Sequence, residues 1–201
     1  YGEGTEISET LQYGRQYLDL TKNLIPYFKA GILPEGINVG KYSTANQVSF
    51  LTGKQNQENG ISLGPSQGDG NYVRTEKQGA YGIQIDGNSG EGAYLYFKVD
   101  DSFYFNDSEP IQITITYYDE GIGDIFMDYD TANCGVDFDA ANMYKRINIG
   151  RLRNSLTWRS LVINLSDATF VGNENDNTDF RLLSFGQKPF IINQVEIRKV
   201  P

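Results

Sequence analysis

Alternation of apolar and polar positions is the dominant pattern of the chain beyond about residue 80. In Ile111–Tyr118 the isoleucines and Tyr117 alternate with glutamine, threonines and Tyr118, and residues 93–99 alternate in the same way. A period of two places successive side chains on opposite faces of a β-strand. The apolar positions therefore predict strand faces that pack into a core, and the positions between them predict outward faces.

Nine or ten segments carry such a pattern, and no helical period separates them. Turn clusters such as the Asp-Gly-Asn-Ser-Gly of residues 86–90 join them, and strands joined by turns pair antiparallel. We therefore predict an all-β fold, an antiparallel β-sandwich of the jelly-roll kind. The predicted strands are 47–51, 61–63, 81–85, 93–99, 111–118, 125–129, 145–149, 159–165, 180–184 and 191–199.

The N-terminal segment lacks this alternation. Apolar residues between positions 7 and 29 are irregularly spaced, and Pro26 interrupts them. We predict that residues 1–37 form an extended or partly helical lead-in, with at most one short helix near residues 20–28. The 201 residues show no repeat and no linker, and this length fits one large all-β domain, so residues 1–201 are predicted to be a single β-sandwich domain.

Composition and charge exclude several classes of function. The chain contains one cysteine, Cys134, and no histidine, which removes disulfide frameworks, cysteine zinc sites and histidine-based catalytic triads. Its net charge of −9 argues against nucleic acid and anionic membranes, and no apolar stretch is long enough for membrane insertion. A neutral partner or a cation fits better. Because it begins at Tyr1 without a signal peptide, we expect an excised piece or a mature form.

Several motifs in the second half of the chain resemble a known family. They are Tyr-Tyr-Asp-Glu-Gly at 117–121, Thr-Trp-Arg-Ser-Leu-Val-Ile-Asn-Leu-Ser-Asp-Ala-Thr-Phe at 157–170, Asp-Phe-Arg at 179–181 and Val-Glu-Ile at 195–197. Together they resemble the galactose-binding-like jelly-roll carbohydrate-binding modules attached to bacterial glycoside hydrolases and polysaccharide lyases. The resemblance covers about residues 82–200. It implies a polysaccharide partner, an extracellular or cell-surface location in a bacterium, and neighbouring domains in the same chain.

Outward tyrosines are the candidates for sugar recognition. A pyranose needs a flat apolar surface for its C–H face, flanked by side chains that hydrogen-bond its hydroxyl groups. The alternating pattern places aromatic and polar residues on the outward side of the strands, opposite the aliphatic ones. The carbohydrate-binding candidates are Tyr94, Tyr96, Tyr118, Tyr144, Arg146 and Trp158.

The placement of the site stays open at this stage. The site lies either on the sheet face or on a loop rim. At that rim Tyr42, Tyr72, Arg74 and Tyr81 flank the glycine-rich loop 64–70, and Trp158 begins its strand beside Arg159. In the competing interpretation the N-terminal segment covers the outward face, and the lone tryptophan fills a core or a corner. Loop 64–70 is not a phosphate-binding motif, because it lacks the Gly-Lys-Ser/Thr ending and a following helix.

Acidic clusters suggest a structural Ca²⁺, which modules of the resembled type often hold near their chain ends. Calcium takes six to eight oxygen ligands, and the candidates are Asp128, Asp130, Asp137 and Asp139. The alternative is that these are solvated loop acids. No other cofactor is expected. Asp179 beside Arg181 further suggests a partly buried ion pair that fixes the following strand.

The sequence thus favours a non-catalytic polysaccharide-binding module of a larger secreted or surface protein. The first alternative is a structural or adhesive β-sandwich of a cell-surface protein, which packs against a neighbouring domain through the same aromatic face. The second is a jelly-roll polysaccharide lyase or glycosidase. Whether the protein is an enzyme stays open, and no catalytic residues are identified, since some pair of the 26 acidic residues always meets the spacing a glycosidase needs.

Overall fold

The computed structural model describes residues 40–85, 93–107, 109–131, 144–185 and 188–200, all within one compact unit, Gly40–Pro201. The lead-in predicted for residues 1–37 lies outside the described residues, as does its short helix. The prediction of one domain over residues 1–201 therefore stays a prediction. No helix in the described ranges is long and apolar enough to cross a membrane.

Twelve strands in the described part form two antiparallel sheets. The seven-stranded large sheet has the order β10-β7-β12-β1-β2, with β5 also paired to β12 and β4 to β5. The five-stranded small sheet has the order β3-β6-β11-β8-β9. The strands are β1 (Gln47–Leu51), β2 (Gln57–Asn59), β3 (Ile61–Leu63), β4 (Tyr72–Lys77), β5 (Ala80–Ile85), β6 (Leu95–Val99), β7 (Ile111–Tyr118), β8 (Ile122–Tyr129), β9 (Lys145–Arg153), β10 (Trp158–Leu165), β11 (Phe180–Ser184) and β12 (Ile191–Lys199).

The core lies between the two sheets, where their apolar faces meet. Phe50 of the large sheet packs edge-on against Phe97 of the small sheet, with 5.6 Å between ring centroids. Phe97 in turn stacks on Phe180 at 5.1 Å, and all three rings are fully buried. Burying each such side chain contributes roughly 1.5–3 kcal/mol relative to leaving it exposed. These contacts make the molecule a β-sandwich, and the predicted all-β antiparallel fold is confirmed.

Strand positions follow the alternating pattern wherever one face is buried. The bounds predicted for β1, β3, β7, β11 and β12 are those observed. Two strands, β2 and β4, were not predicted. All three residues of β2 are exposed, and β4 contains no fully buried residue, so neither carries an apolar face to detect. Each is held by pairing with one neighbouring strand, which leaves no signal in the sequence.

Candidate functional site

A row of four outward side chains crosses four neighbouring strands of the small sheet. Tyr96 of β6 is in register with Arg181 of β11, which pairs with Asp128 of β8. Asp128 then pairs with Arg146 of β9. Residues in register share a face of the sheet, and the alternating residues beside them point into the core. The row therefore lies on the face that is turned away from the large sheet.

Asp128 joins two arginines in this row. It is fully buried, and its Oδ1 accepts a hydrogen bond from Arg146 Nε at 2.7 Å. Its Oδ2 accepts from Arg146 Nη2 and from Arg181 Nε, both at 2.8 Å. A buried carboxylate is tolerated only when it is paired and hydrogen-bonded, and both conditions are met here. One carboxylate serves two guanidinium groups, so the trio carries a net positive charge.

Two tyrosine rings cover the Arg181 guanidinium. Its Cζ lies 4.0 Å from the ring centroid of Tyr94 and 4.0 Å from that of Tyr144. Arg181 is only 5% exposed, whereas both tyrosines are half-buried, so solvent reaches the rings rather than the guanidinium. A cation–π contact of a desolvated arginine contributes roughly 2 kcal/mol. The two rings are thus held on the outward face by a fixed cation beneath them.

Tyr96 faces outward as predicted, but it is covered. Its residue is 5% exposed, and its hydroxyl accepts hydrogen bonds from Asn175 Nδ2 and Arg181 Nη1 and donates to the Asp69 carboxylate. The glycine-rich loop lies on its ring, since a Cβ at Gly70 would stand 2.8 Å from the ring's Cδ2. Burial raises the pKa of the Tyr96 hydroxyl to about 12. Tyr96 therefore supports the cluster and offers no open ring for stacking.

A polar cleft of about 360 Å³ adjoins Tyr96 between two loops. In it, Gln67 Nε2 donates to both oxygens of Asp176, at 2.9 and 2.8 Å. Carboxylate and amide groups of this kind hydrogen-bond pairs of hydroxyl groups. The lining residues are Gln67, Gly68, Asp69, Tyr96, Asn175 and Asp176.

Glu174 is a buried carboxyl at the edge of the cluster. It is 6% exposed, and its Oε2 lies 3.5 Å from Arg181 Nη1, while its Oε1 has no hydrogen-bond partner among the described residues. Burial raises its pKa to about 8, against the opposing effect of the Arg181 charge. Burial therefore disfavours the charged form of this carboxyl, whereas the Arg181 charge favours it.

The ion pair expected between Asp179 and Arg181 is absent, because Asp179 is held by backbone groups. Its oxygens accept hydrogen bonds from the N–H groups of Val99 and Gly172, and burial raises its pKa to about 7. Asp179 immediately precedes β11, whereas Arg181 pairs with Asp128 of the neighbouring strand β8 and lies 3.5 Å from Glu174 in the loop before β11. The prediction paired Arg181 with an aspartate two positions away in the sequence, but in the fold its ion-pair partner Asp128 lies opposite it on the adjacent strand.

The predicted calcium ligands do not form one group among the described residues. Both Asp128 oxygens are occupied by arginines, whereas Asp130 Oδ2 accepts from the backbone N–H groups of Val171 and Asn173. Burial raises the pKa of Asp130 to about 6, and its Oδ1 has no partner in the described part. Residues 137 and 139 lie outside it. No set of three or more His, Cys, Asp or Glu side chains within the described ranges is placed to hold a metal ion.

Tyr118 and Trp158 lie on the other sheet. They are in register on β7 and β10, with ring centroids 5.3 Å apart in an edge-to-face contact. Trp158 Nε1 donates to the Lys77 carbonyl at 3.1 Å, and the Tyr118 hydroxyl donates to the Leu156 carbonyl at 3.0 Å. The six predicted sugar-binding residues therefore do not form one surface: Tyr94, Tyr96, Tyr144 and Arg146 meet on the small sheet, and this pair does not join them.

Arg181 is the central residue that the sequence reasoning did not select. It lies in Phe180–Ser184, where all five residues are buried and the other four are Phe, Leu, Leu and Ser. An arginine inside an otherwise apolar strand is a signal that its charge is paired within the fold. Asp69 and Asn175 gave no such signal, because they lie on loops whose positions depend on the tertiary fold.

By sequence, the chain matches no family model and no curated protein. By structure it is similar to the CBM22-1 and GH10 modules of endo-1,4-β-D-xylanase 10B from Clostridium thermocellum, complexed with xylohexaose (TM-score 0.44, 11% identity, 80% of this chain and 27% of that one). It is also similar to the CBM22-1 xylan-binding domain of Paenibacillus barcinonensis Xyn10C (TM-score 0.47, 13% identity, 77% of this chain and 92% of that one). A third similar structure is the binding domain of Paraclostridial Mosquitocidal Protein 1 (TM-score 0.45, 12% identity, 78% of this chain and 49% of that one).

The chain spans 27% of the length of the first of these structures. Two of the three contain carbohydrate-binding modules, the class of protein that the sequence resembles. All three TM-scores lie below 0.5, at 0.44, 0.47 and 0.45, so the function of this chain is inferred from the geometry of its own described residues.

Proposed function

We propose that this protein is a non-catalytic polysaccharide-binding module and that its sugar stacks on Tyr94 and Tyr144. The observation that carries the proposal is the pair of half-buried rings placed 4.0 Å from one buried guanidinium. Arg181 lies against each ring, and the solvent-exposed part of each ring is proposed to take the C–H face of a pyranose. In keeping with the resemblance, the module belongs to a larger secreted or cell-surface protein.

The ion-pair network makes this surface rigid before the sugar arrives. Arg181 is fixed by Asp128 and by the Tyr96 hydroxyl, so the rings that rest on it lose little freedom on binding. A surface ordered during folding binds more tightly, because less conformational entropy is lost in the complex. Arg146 and Asn148 are exposed on the neighbouring edge strand and supply hydrogen bonds to hydroxyl groups.

We expect Tyr94→Ala and Tyr144→Ala each to weaken glycan binding at least about tenfold, equivalent to about 1.4 kcal/mol. Each substitution removes one stacking ring but leaves the Asp128–Arg181 ion pair in place. The measurement is the dissociation constant by titration calorimetry, with the melting temperature as a check on folding. Trp158→Ala, in the aromatic pair of the large sheet, is the matched control and is expected to bind as the wild type does.

Two results would reject this placement. Unchanged affinity in both tyrosine variants would remove the site from the small sheet. Loss of binding in Trp158→Ala alone would move it to the large sheet, where Trp158 contacts Tyr118.

The adhesive alternative shares the same face and differs in its partner. It predicts no retention on any polysaccharide and binding to a neighbouring domain of the same protein instead. The lyase alternative needs a tyrosine that gives up its proton readily. The raised pKa of Tyr96, about 12, gives it no support, and release of sugar products from a glycan would be needed to favour it.

Calcium is proposed at Asp130 rather than at Asp128. The support is the buried Asp130 Oδ1, which has no hydrogen-bond partner in the described part of the chain. We expect added Ca²⁺ to raise the melting temperature of chelator-treated protein, and Asp130→Asn to abolish that response. Asp124→Asn, at an aspartate on β8 whose side chain is 44% exposed, is the control that keeps the response. A melting temperature that neither chelator nor calcium moves would refute the proposal.

A further inference from the structure

Edge strand β9 carries three arginines on the outward face of the small sheet. Arg146, Arg151 and Arg153 are all exposed, and together they form what we call the arginine strip. Residues 146 and 151 are five positions apart, which would place them on opposite faces of a regular strand. A register shift opposite Ile125 and Phe126 inserts one extra residue into β9. The bulge restores the outward direction, so all three arginines lie on the face that carries Tyr94 and Tyr144.

The strip is positive although the protein is acidic. Residues 145–159 contain five basic residues and no acidic one, in a chain whose net charge is −9. Arg151 lies a loose 3.9 Å from Asp124, and Arg153 stands in register with the apolar Ile122. Counting Arg181, four outward arginines face three carboxyl groups, those of Asp124, Asp128 and Glu174. Even with all three charged, the local excess is one positive charge (4 − 3), which the overall charge conceals.

The strip continues the tyrosine surface along the strand direction. The two ends of the arginine strip, Arg146 and Arg153, pair with Asp128 and Ile122 of β8. These two residues are six positions apart, so the strip is about 20 Å long. Between them Phe126 contacts Phe185 edge-on at 5.2 Å, and Phe185 is 38% exposed. An extended sugar chain that stacks on the tyrosines and runs along β9 would therefore meet an aromatic surface on one side and cations on the other.

We propose that the glycan bound by this face is an acidic polysaccharide built from uronic acids, and that Arg151 and Arg153 select it. A guanidinium group pairs with a carboxylate through two parallel hydrogen bonds, which neither a hydroxyl group nor a lysine reproduces. The inference rests on the proposed function, because it names the class of sugar that the same surface takes.

The test compares polygalacturonate with a neutral glucan by affinity electrophoresis at low and high salt. The wild type is expected to bind polygalacturonate more tightly, and salt is expected to weaken that binding. Arg151→Gln/Arg153→Gln is expected to lose at least about tenfold in affinity for polygalacturonate, with an unchanged melting temperature. Arg74→Gln, an exposed arginine on β4 of the large sheet, is the control and is expected to bind as the wild type does.

The possible results distinguish a failure of the acidic specificity from a failure of glycan binding itself. Tighter binding of the neutral glucan would overturn the acidic specificity and leave the glycan-binding function standing. No binding to any glycan would reject the function itself. Unchanged binding of polygalacturonate by the double variant would overturn the inference, and the arginines would then serve only to keep an exposed edge strand from pairing with other chains. Equal binding of polyglutamate would point to an acidic protein partner and also overturn the inference.

Discussion

Replacing Asp128 with asparagine is expected to lower the free energy of unfolding by about 3–5 kcal/mol, a large share of the stability of a domain of this size. The side chain keeps its shape, but the charge that compensates two guanidinium groups is lost. Arg181 is nearly buried and would keep the neutral Tyr96 hydroxyl and one acidic partner among the described residues, Glu174, whose Oε2 is 3.5 Å away and whose pKa is raised to about 8. The measurement is urea denaturation, read as the midpoint and slope.

Asp124→Asn is the matched control, because Asp124 lies on the same strand and the same face. Its carboxylate is 44% exposed and lies 3.9 Å from Arg151, so the change is expected to stay within about 0.5 kcal/mol. The double variant Asp128→Asn/Arg181→Gln is expected to recover part of the loss, since it removes the uncompensated cation. A loss for Asp128→Asn no larger than for the control would contradict the ion-pair network.

Acidification from about pH 8 to about pH 5 is expected to raise the free energy of unfolding of the chelator-treated protein by at least about 2 kcal/mol. Burial raises the pKa of Asp130, Asp179 and Glu174 to about 6, 7 and 8. In the unfolded chain these groups titrate near pH 4. The folded protein therefore holds more protons between about pH 4 and pH 8, and stability is lost as the pH rises through that window.

Carboxyl groups with lowered pKa do not oppose this trend. Asp119 and Asp167 have lowered pKa values, because hydrogen bonds outweigh their burial, and their contributions are lost only below about pH 4. Glu174→Gln is expected to flatten the profile between pH 5 and pH 8, and Glu76→Gln, at an exposed position, is expected to leave it unchanged. If the free energy of unfolding instead falls on acidification from pH 8, burial does not disfavour the charged forms of these three carboxyl groups, and the prediction is wrong.

Alternation was sufficient to predict the fold class and most strands, because burial of one face leaves a period of two in the sequence. The isoleucines of Ile111–Tyr118 are the clearest case, with three of them fully buried. The strands β2 and β4 were missed because they bury no such face. Their positions depend on pairing with β1 and β5, which is a property of the folded chain.

The site could be predicted only in part for a related reason. Alternation correctly placed Tyr94, Tyr96 and Arg146 outward, but it does not say which sheet a strand joins. Tyr118 shares their pattern and lies on the large sheet. The cover over Tyr96 and the bulge that aligns Arg151 with Arg146 also depend on contacts between distant segments.

Glycan binding by the tyrosine pair is best measured on a glycan array probed with the wild type and with Tyr94→Ala/Tyr144→Ala in parallel. The wild type is expected to bind at least one class of polysaccharide, most strongly those that contain uronic acids, and the folded double variant is expected to bind none. A wild type that binds no glycan, or a double variant that binds as the wild type does, would contradict the proposed function.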